Sequence, residues 1–271
     1  MIFVSIMKTY FCIIRLEEKI NANINTIFTY TISRLLLILL ITMEPRTSPL
    51  VNIVIGMAGS GKTMLLNRLI THYNSKSVKT YNINLDPAVS DLAFPANIDI
   101  RDCVKYKEVM KKFQLGPNGA IVTSLNLFAA QFDEVLKLID KKAGTEVVNI
   151  DTPGQIEVFS WSASGQVITD TLALTYPTII TYVVDTDRCK NPNTFMSNML
   201  YALSIMYKSR LPMVVAFNKI DICSHLMLVD WMKDYSAFQK AIQKEETYRA
   251  DLSHSMSLVL DEFYKTLCVC E

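Results

Sequence analysis

Net charge of either sign is almost missing from this 271-residue chain: 27 Lys and Arg stand against 26 Asp and Glu, leaving +1. No global field then draws it to nucleic acid or to an anionic membrane, and no basic cluster is dense enough to act as an import signal on its own. Histidine is scarce. His72, His225 and His254 are scattered, and none is assigned chemistry. The six cysteines, at 12, 103, 189, 223, 268 and 270, have no zinc-ligand spacing with histidine. Cys268-Val-Cys270 reads as packing rather than as a metal site. No internal repeat or low-complexity tract occurs. Long apolar runs are lacking too. LLLILLI at 35–41, preceded by Arg34, falls well short of the roughly 20 residues a spanning helix needs. Arg15, Glu17, Glu18 and Lys19 argue against a longer span, and no small-residue cleavage site follows Ile41. Membrane insertion, export and direct nucleic-acid contact are therefore not expected. What remains fits one α/β domain, with residues 1–49 as an atypical extension, either a single helix or unstructured.

Against that background one octet stands out. Residues 56–63 read GMAGSGKT, a complete G-x-x-x-x-G-K-[ST] phosphate loop. VNIVI precedes it, a short β-rich run, and MLLNRLI follows with apolar residues at helical spacing. Gly56 and Gly61 permit backbone that a Cβ would forbid. N–H groups through Gly59, Ser60, Gly61 and Met64, at a helix N-terminus, then face a phosphate anion. Lys62 is placed to reach the β and γ phosphates as a point charge, and Thr63 offers a hydroxyl to Mg²⁺. Such a loop implies a nucleotide-rich, reducing compartment, hence the cytoplasm.

Two further motifs follow predicted strands. Asn218, Lys219, Ile220 and Asp221 come after MVVAF and form N-K-x-D, which resembles a guanine-specificity motif. A carboxylate at Asp221 accepts from guanine N1–H and its 2-amino group, whereas adenine would leave it unpaired. A site built around such hydrogen bonds rejects the analogue lacking them by roughly 10⁴ or more. The Lys219 stem would cover the base, and Asn218 would tie this loop to the phosphate loop. Asp151, Thr152, Pro153, Gly154 and Gln155 come after EVVNI. In this D-x-x-G segment Asp151 would hold the Mg²⁺ shell, Gly154 N–H would sense the γ-phosphate, and Gln155 would orient water. The alternative reading of D-T-P-G is an ordinary turn.

The tripeptide Gly116, Pro117, Asn118 inside LGPNGA narrows the reading, together with NINLDPAV at 82–89 and IDTPGQIEVFSWSASG at 150–165. With these motifs the chain resembles the GPN-loop GTPases, nearly continuously over residues 50–267, and the Trp-Ser-Ala-Ser-Gly run at 161–165 resembles their type 1 branch. The resemblance implies GTP/GDP and Mg²⁺ as ligands. It also implies dimerisation, with self or a related GPN-loop paralogue, in which each GPN loop reaches the partner's phosphates through Asn118 while Gly116 and Pro117 fix a turn. Asp86 would help hold Mg²⁺ or position water. RNA polymerase II subunits would be partners, in its assembly and nuclear import, with shuttling from cytoplasm to nucleus. No arginine stands out in cis, so hydrolysis would depend on the dimer.

The resemblance departs at both ends. Residues 1–49 do not match, and Met43 would be a plausible start. Relatives continue past Glu271 into a final strand and a fifth, guanine-contacting motif. The domain over 50–271 is therefore expected to lack them, with Cys268, Val269 and Cys270 as a strand stub and weaker GTP binding as the consequence. A catalytically impaired isoform that serves as a partner-binding module is the alternative reading.

The expected fold is a doubly wound, mostly parallel α/β sheet of the P-loop type with inserted helices. Candidate strands are 51–55, 80–84, 146–150, 179–184 and 213–217. Candidate helices are 62–73, 102–113, 126–142, 194–209, 228–243 and 248–266.

Overall fold

Short apolar runs that alternate with longer helical stretches can bury both faces of a sheet only if helices cover each side. The computed structural model, which describes residues 48–243, Tyr264 and 268–270, takes that form. Seven strands lie in the order β3-β2-β4-β1-β5-β6-β7, all neighbours parallel. They are β1 (Leu50–Gly56), β2 (Thr80–Asn84), β3 (Ile98–Asp99), β4 (Val147–Asp151), β5 (Thr178–Asp185), β6 (Met213–Asn218) and β7 (Cys268–Cys270). The helices are α1 (Lys62–Ser75), α2 (Ile100–Cys103), α3 (Tyr106–Phe113), α4 (Pro117–Ala129) and α5 (Phe132–Lys141). They continue with α6 (Ile156–Ser160), α7 (Ala163–Thr175), α8 (Pro192–Ser209), α9 (Leu226–Lys233) and α10 (Tyr235–Gln243). Among the described residues no helix is long and apolar enough to cross a membrane.

The five predicted strands form at their predicted places. β3 was not foreseen, because two residues carry no alternation. The expected stub, residues 268–270, pairs with β6 in the register Val214↔Cys268. Among helices the differences are larger. The predicted 102–113 breaks at Val104, whose extended backbone separates α2 from α3. The predicted 126–142 is the end of α4 and all of α5. α6 and α7 lie within a stretch read only as a motif. Ser162 starts α7, its Oγ accepting the Gly165 N–H at 3.0 Å. The expected GPN turn is also corrected. Gly116 is extended at the N-cap and Pro117 opens α4, where its missing N–H costs nothing and its fixed φ suits the helix. The predicted helix 248–266 lies outside the described residues except at Tyr264, and the extension expected over residues 1–49 falls almost wholly outside them.

The two faces of the sheet are packed differently. One carries Ile53, Ile55, Ile83, Ile150, Ile180 and Tyr182 against Leu125, Phe159, Ile168, Phe195 and Met199. The other meets α1 through Leu50 and Val54 against Leu66, Leu69, Ile70 and Tyr73. Between Leu50 and Val54 this second face holds a buried polar row. Asn149 Nδ2 donates to Asn82 Oδ1 (3.1 Å), Asn52 Nδ2 to Asn149 Oδ1 (3.5 Å) and Thr181 Oγ1 to Asn52 Oδ1 (2.7 Å). Asparagine inside strands is affordable only because each amide finds a cross-strand partner.

Candidate functional site

β1 ends in Gly56, whose Cβ would stand 2.4 Å from the Val183 carbonyl oxygen in β5. Only glycine lets the two strands meet there and the chain turn out into the phosphate loop. Gly61 adopts φ +90, and a Cβ on it would fall 2.4 Å from Asn218 Nδ2. That close approach carries a bond: Asn218 Nδ2 donates to the Ser60 carbonyl at 2.8 Å. Asn218 thus ties the 218–221 segment to the phosphate loop, as its place after β6 suggested. Lys219, itself at φ +64, reinforces the junction. Its Nζ donates to the Gly59 carbonyl (2.8 Å) and to Asp185 Oδ2 (2.7 Å).

Lys62 opens α1 and is buried at 5% exposure. Its Nζ donates to the carbonyls of Gly56 (2.9 Å), Met57 (3.2 Å) and Gly154 (3.5 Å). Burial lowers its pKa, opposed by the charges of Asp151 and Asp86. The next residue, Thr63, donates from Oγ1 to Asp151 Oδ2 at 2.6 Å. The other oxygen, Asp151 Oδ1, is buried with no hydrogen-bond partner. Burial pushes the Asp151 carboxyl up to about 6, although Thr63 and Lys62 pull it down. An unpartnered carboxylate oxygen beside a hydroxyl is a donor set for a hard cation. Among the described residues no group of three or more His, Cys, Asp or Glu could hold a metal unaided, so a cation here would need further ligands from a bound phosphate.

Asp86 follows β2 and closes the same pocket. Its Oδ1 accepts the Ala88 N–H (2.9 Å) and its Oδ2 the Gly154 N–H (3.2 Å). The Gly154 amide expected to sense the γ-phosphate is therefore held by Asp86. Together the carboxyl ends of β1, β2, β4 and β6 gather the phosphate loop, Lys62, Thr63, Asp86, Asp151, Gly154, Asn218 and Lys219. In a parallel open sheet this is where ligands bind.

Other predicted residues stay on the rim. Met64, Gly116, Pro117, Asn118, Gln155 and Asp221 are exposed. Gln155 caps α6 without a side-chain bond. Pro117 touches its own domain through its carbonyl, which accepts from Tyr106 Oη at 3.3 Å.

Two site residues escaped the sequence reading. Asp185, in register with Asn218, anchors Lys219. Arg188 donates from Nη1 to the Ala58 carbonyl at 3.2 Å, its Nε lies 3.5 Å from Asp185 Oδ2, and its guanidinium sits 3.4 Å from where a Gly59 Cβ would be. An arginine in cis does reach the phosphate loop. The signal was D-T-D-R directly after the apolar strand 179–184.

The family model described as "Conserved hypothetical ATP binding protein" matches residues 54–271. GPN-loop GTPase 1 of Dictyostelium discoideum is 59% identical over 220 residues, covering 81% of this chain and 56% of that protein. GPN-loop GTPase QQT2 of Arabidopsis thaliana is 60% identical over 216 residues, covering 79% of this chain and 57% of that one. The chain thus spans little more than half the length of these relatives. The crystal structure of a GTPase in apo form from Pyrococcus abyssi matches with TM-score 0.68 at 28% identity, covering 81% of this chain and 88% of that one. Sequence identity of this extent, carried on a matching fold, means that the chain belongs to the GPN-loop GTPase family.

Proposed function

We propose that this chain binds GTP with Mg²⁺ and hydrolyses it, as a switch that works in pairs. The observation that carries the reading is the bond from Asn218 to the Ser60 carbonyl. It sets a guanine-type N-K-x-D segment directly against a phosphate loop, so one ligand can meet both. The family model's description speaks of ATP, but adenine would leave Asp221 without its donors, and the relatives are named GTPases.

The chemistry asks for position and charge rather than covalent participation. Lys62, now on three carbonyls, would exchange them for phosphate oxygens, which are stronger acceptors. Thr63 and Asp151, with Asp86, would hold Mg²⁺, which balances charge on the β and γ oxygens. Asp86 and Gln155 would orient the attacking water. Asn118, exposed at the start of α4, is free to serve a partner's nucleotide. The type 1 resemblance supports a related GPN-loop paralogue as that partner, RNA polymerase II subunits as clients, and passage between cytoplasm and nucleus.

A second reading, a partner-binding module without turnover, draws on one observation: both Asp86 oxygens are occupied by backbone amides. Titration of the full chain with mant-GTP and mant-ATP in Mg²⁺, beside Lys62→Ala, tests the first point. Saturable GTP binding, absent with ATP and lost in the variant, supports the proposal, and a folded chain that binds neither overturns it. Phosphate release by the GTP-bound protein then separates the switch from the inert module.

A further inference from the structure

The loop from Leu85 to Ser90 carries Asp86, and it is held at both ends by one charged pair outside the nucleotide pocket. At its start stands Asn84, fully buried at the end of β2. Asn84 Oδ1 accepts the Asp86 N–H (3.0 Å), and its Nδ2 donates to the Asp86 carbonyl (3.2 Å) and to Asp99 Oδ1 (3.0 Å). Asn84 and Asp99 are partners in the β2–β3 register. Asp99 in turn grips Arg101. Nε lies 3.0 Å from each carboxylate oxygen, Nη2 is 2.6 Å from Oδ2, and the Arg101 N–H donates to Oδ1 at 2.9 Å. The remaining guanidinium nitrogen, Nη1, turns back to the far end of the loop, donating to the carbonyls of Val89 (3.2 Å) and Ser90 (2.8 Å). Asp86 thus sits in a bracket whose two arms meet at Asp99.

Asp99 is nearly buried, at 12% side-chain exposure, and Arg101 is partly exposed, at 30%. Burial alone would raise the Asp99 carboxyl, but bonds from Arg101 and Asn84 outweigh it and hold the group below its usual value. A planar fork that binds a carboxylate with two nitrogens and leaves a third for carbonyls is a task lysine cannot copy. Asp99 also caps α2. Val104, just after α2, then packs with Val109 of α3 and Ala120 of α4 in one cluster that includes Leu115, next to the GPN corner.

We propose that Asp99 and Arg101 are positioning residues for Asp86, a clamp that sets the aspartate's orientation in the nucleotide pocket and fastens it to the helical segment bearing the GPN corner. This rests on the reading of Asp86 as a residue of GTP hydrolysis. The side-chain bonds of the clamp residues run to Asn84, Val89, Ser90 and each other and not to the phosphate loop or the 218–221 segment, so turnover rather than affinity should respond. Misplacing a reacting group by about 1 Å is enough to cost on the order of 100-fold.

The test uses the full chain with Arg101→Lys, Asp86→Asn and the double variant, at protein concentrations that saturate pairing. kcat for GTP and Kd for mant-GDP are both measured, and circular dichroism reports folding. Expected are a fall in kcat of about 10- to 100-fold for Arg101→Lys, Kd within about twofold, and a double variant no slower than Asp86→Asn alone. Asp99→Asn, which keeps an acceptor for Asn84 but loses the negative charge that faces Arg101, should fall between wild type and Arg101→Lys and supplies the result should Arg101→Lys fail to fold. Unchanged kcat in the clamp variants, effects that multiply in the double variant, or Kd weakened as much as kcat would each overturn the clamp while leaving the Asp86 reading intact. An Asp86→Asn protein with wild-type kcat would instead remove the reading on which the clamp rests, and the clamp with it.

Discussion

Gly61 shows how little freedom a single residue has at this site. Its φ of +90 is a conformation that L side chains rarely adopt, and the Asn218 amide fills the place of a Cβ at 2.4 Å. Gly61→Ala should therefore cost about 1–3 kcal/mol of stability and break the tie between the phosphate loop and the 218–221 segment. Chemical unfolding together with mant-GDP titration checks both effects. Survival of tight nucleotide binding would show that the tie is dispensable. Asp151 makes a different kind of statement at the same scale. Its carboxyl titrates near 6 in the folded chain against an ordinary 3.8, so the folded state holds the proton more tightly than the unfolded one. Stability from this group is full below about pH 4 and is lost as pH rises through about 6, amounting to about 3 kcal/mol by neutrality. Without metal or nucleotide, Asp151→Asn should raise the melting temperature at pH 7.5 and flatten its pH dependence between 4 and 7. The same variant should lose Mg²⁺-dependent affinity for nucleotide. A variant no more stable than wild type at pH 7.5 would show that the buried charge is neutralised by other means.

At the scale of elements, strands and helices were legible to different degrees. β1, β2, β4, β5 and β6 announce themselves as short apolar runs, because a strand buried on both faces has few polar choices. The exceptions inside them, Asn52, Asn82 and Asn149, look like flaws until the sheet is assembled. Their amides then run across three adjacent strands in one buried row. Breaking that row should be expensive. Asn52→Ala leaves the Thr181 hydroxyl and the Asn149 carbonyl without partners, and it is expected to destabilise by about 2–4 kcal/mol. Urea unfolding measures this, and nucleotide affinity should hold at a temperature where the variant stays folded. A loss under about 1 kcal/mol would mean that water replaces the amide. Helix boundaries were less legible. Pro117 was read as a turn residue, yet proline is equally at home in the first turn of a helix. Only the apolar spacing of Ile121, Leu125 and Phe128 against the sheet decides for α4.

For the whole molecule the two ends of the site face different things. Lys62, Thr63, Asp86 and Asp151 point into the pocket of their own chain, whereas Asn118 is exposed with its own domain behind it. If hydrolysis needs a second copy or a paralogue to supply that corner, GTPase activity per molecule should fall steeply on dilution. Nucleotide affinity should change much less. Specific activity that stays constant down to the monomer would sink the dimer requirement, and attention would move to Arg188, the cation already on the Ala58 carbonyl. Independently of turnover, GTPγS should raise the melting temperature by mass action, by about 2.7 kcal/mol of stability at a ligand concentration 100 times Kd.

Local chemistry in the sequence was sufficient for the phosphate loop, the D-x-x-G and N-K-x-D segments, the central strands and the parallel α/β class. Each of these is encoded within a few consecutive residues: glycines where the backbone must bend, a lysine and a hydroxyl at fixed spacing, apolar runs bounded by turn residues. Tertiary structure alone decided the rest, because it depends on residues far apart in the chain. The Lys219–Asp185 contact spans 34 positions and the bond from Arg188 to the Ala58 carbonyl 130. Asp185 and Arg188 became site residues, and Asp99 and Arg101 a bracket around Asp86, only when a parallel sheet set their strand ends side by side. No spacing rule in the sequence records that proximity, since register between strands follows from how the whole sheet buries its two faces.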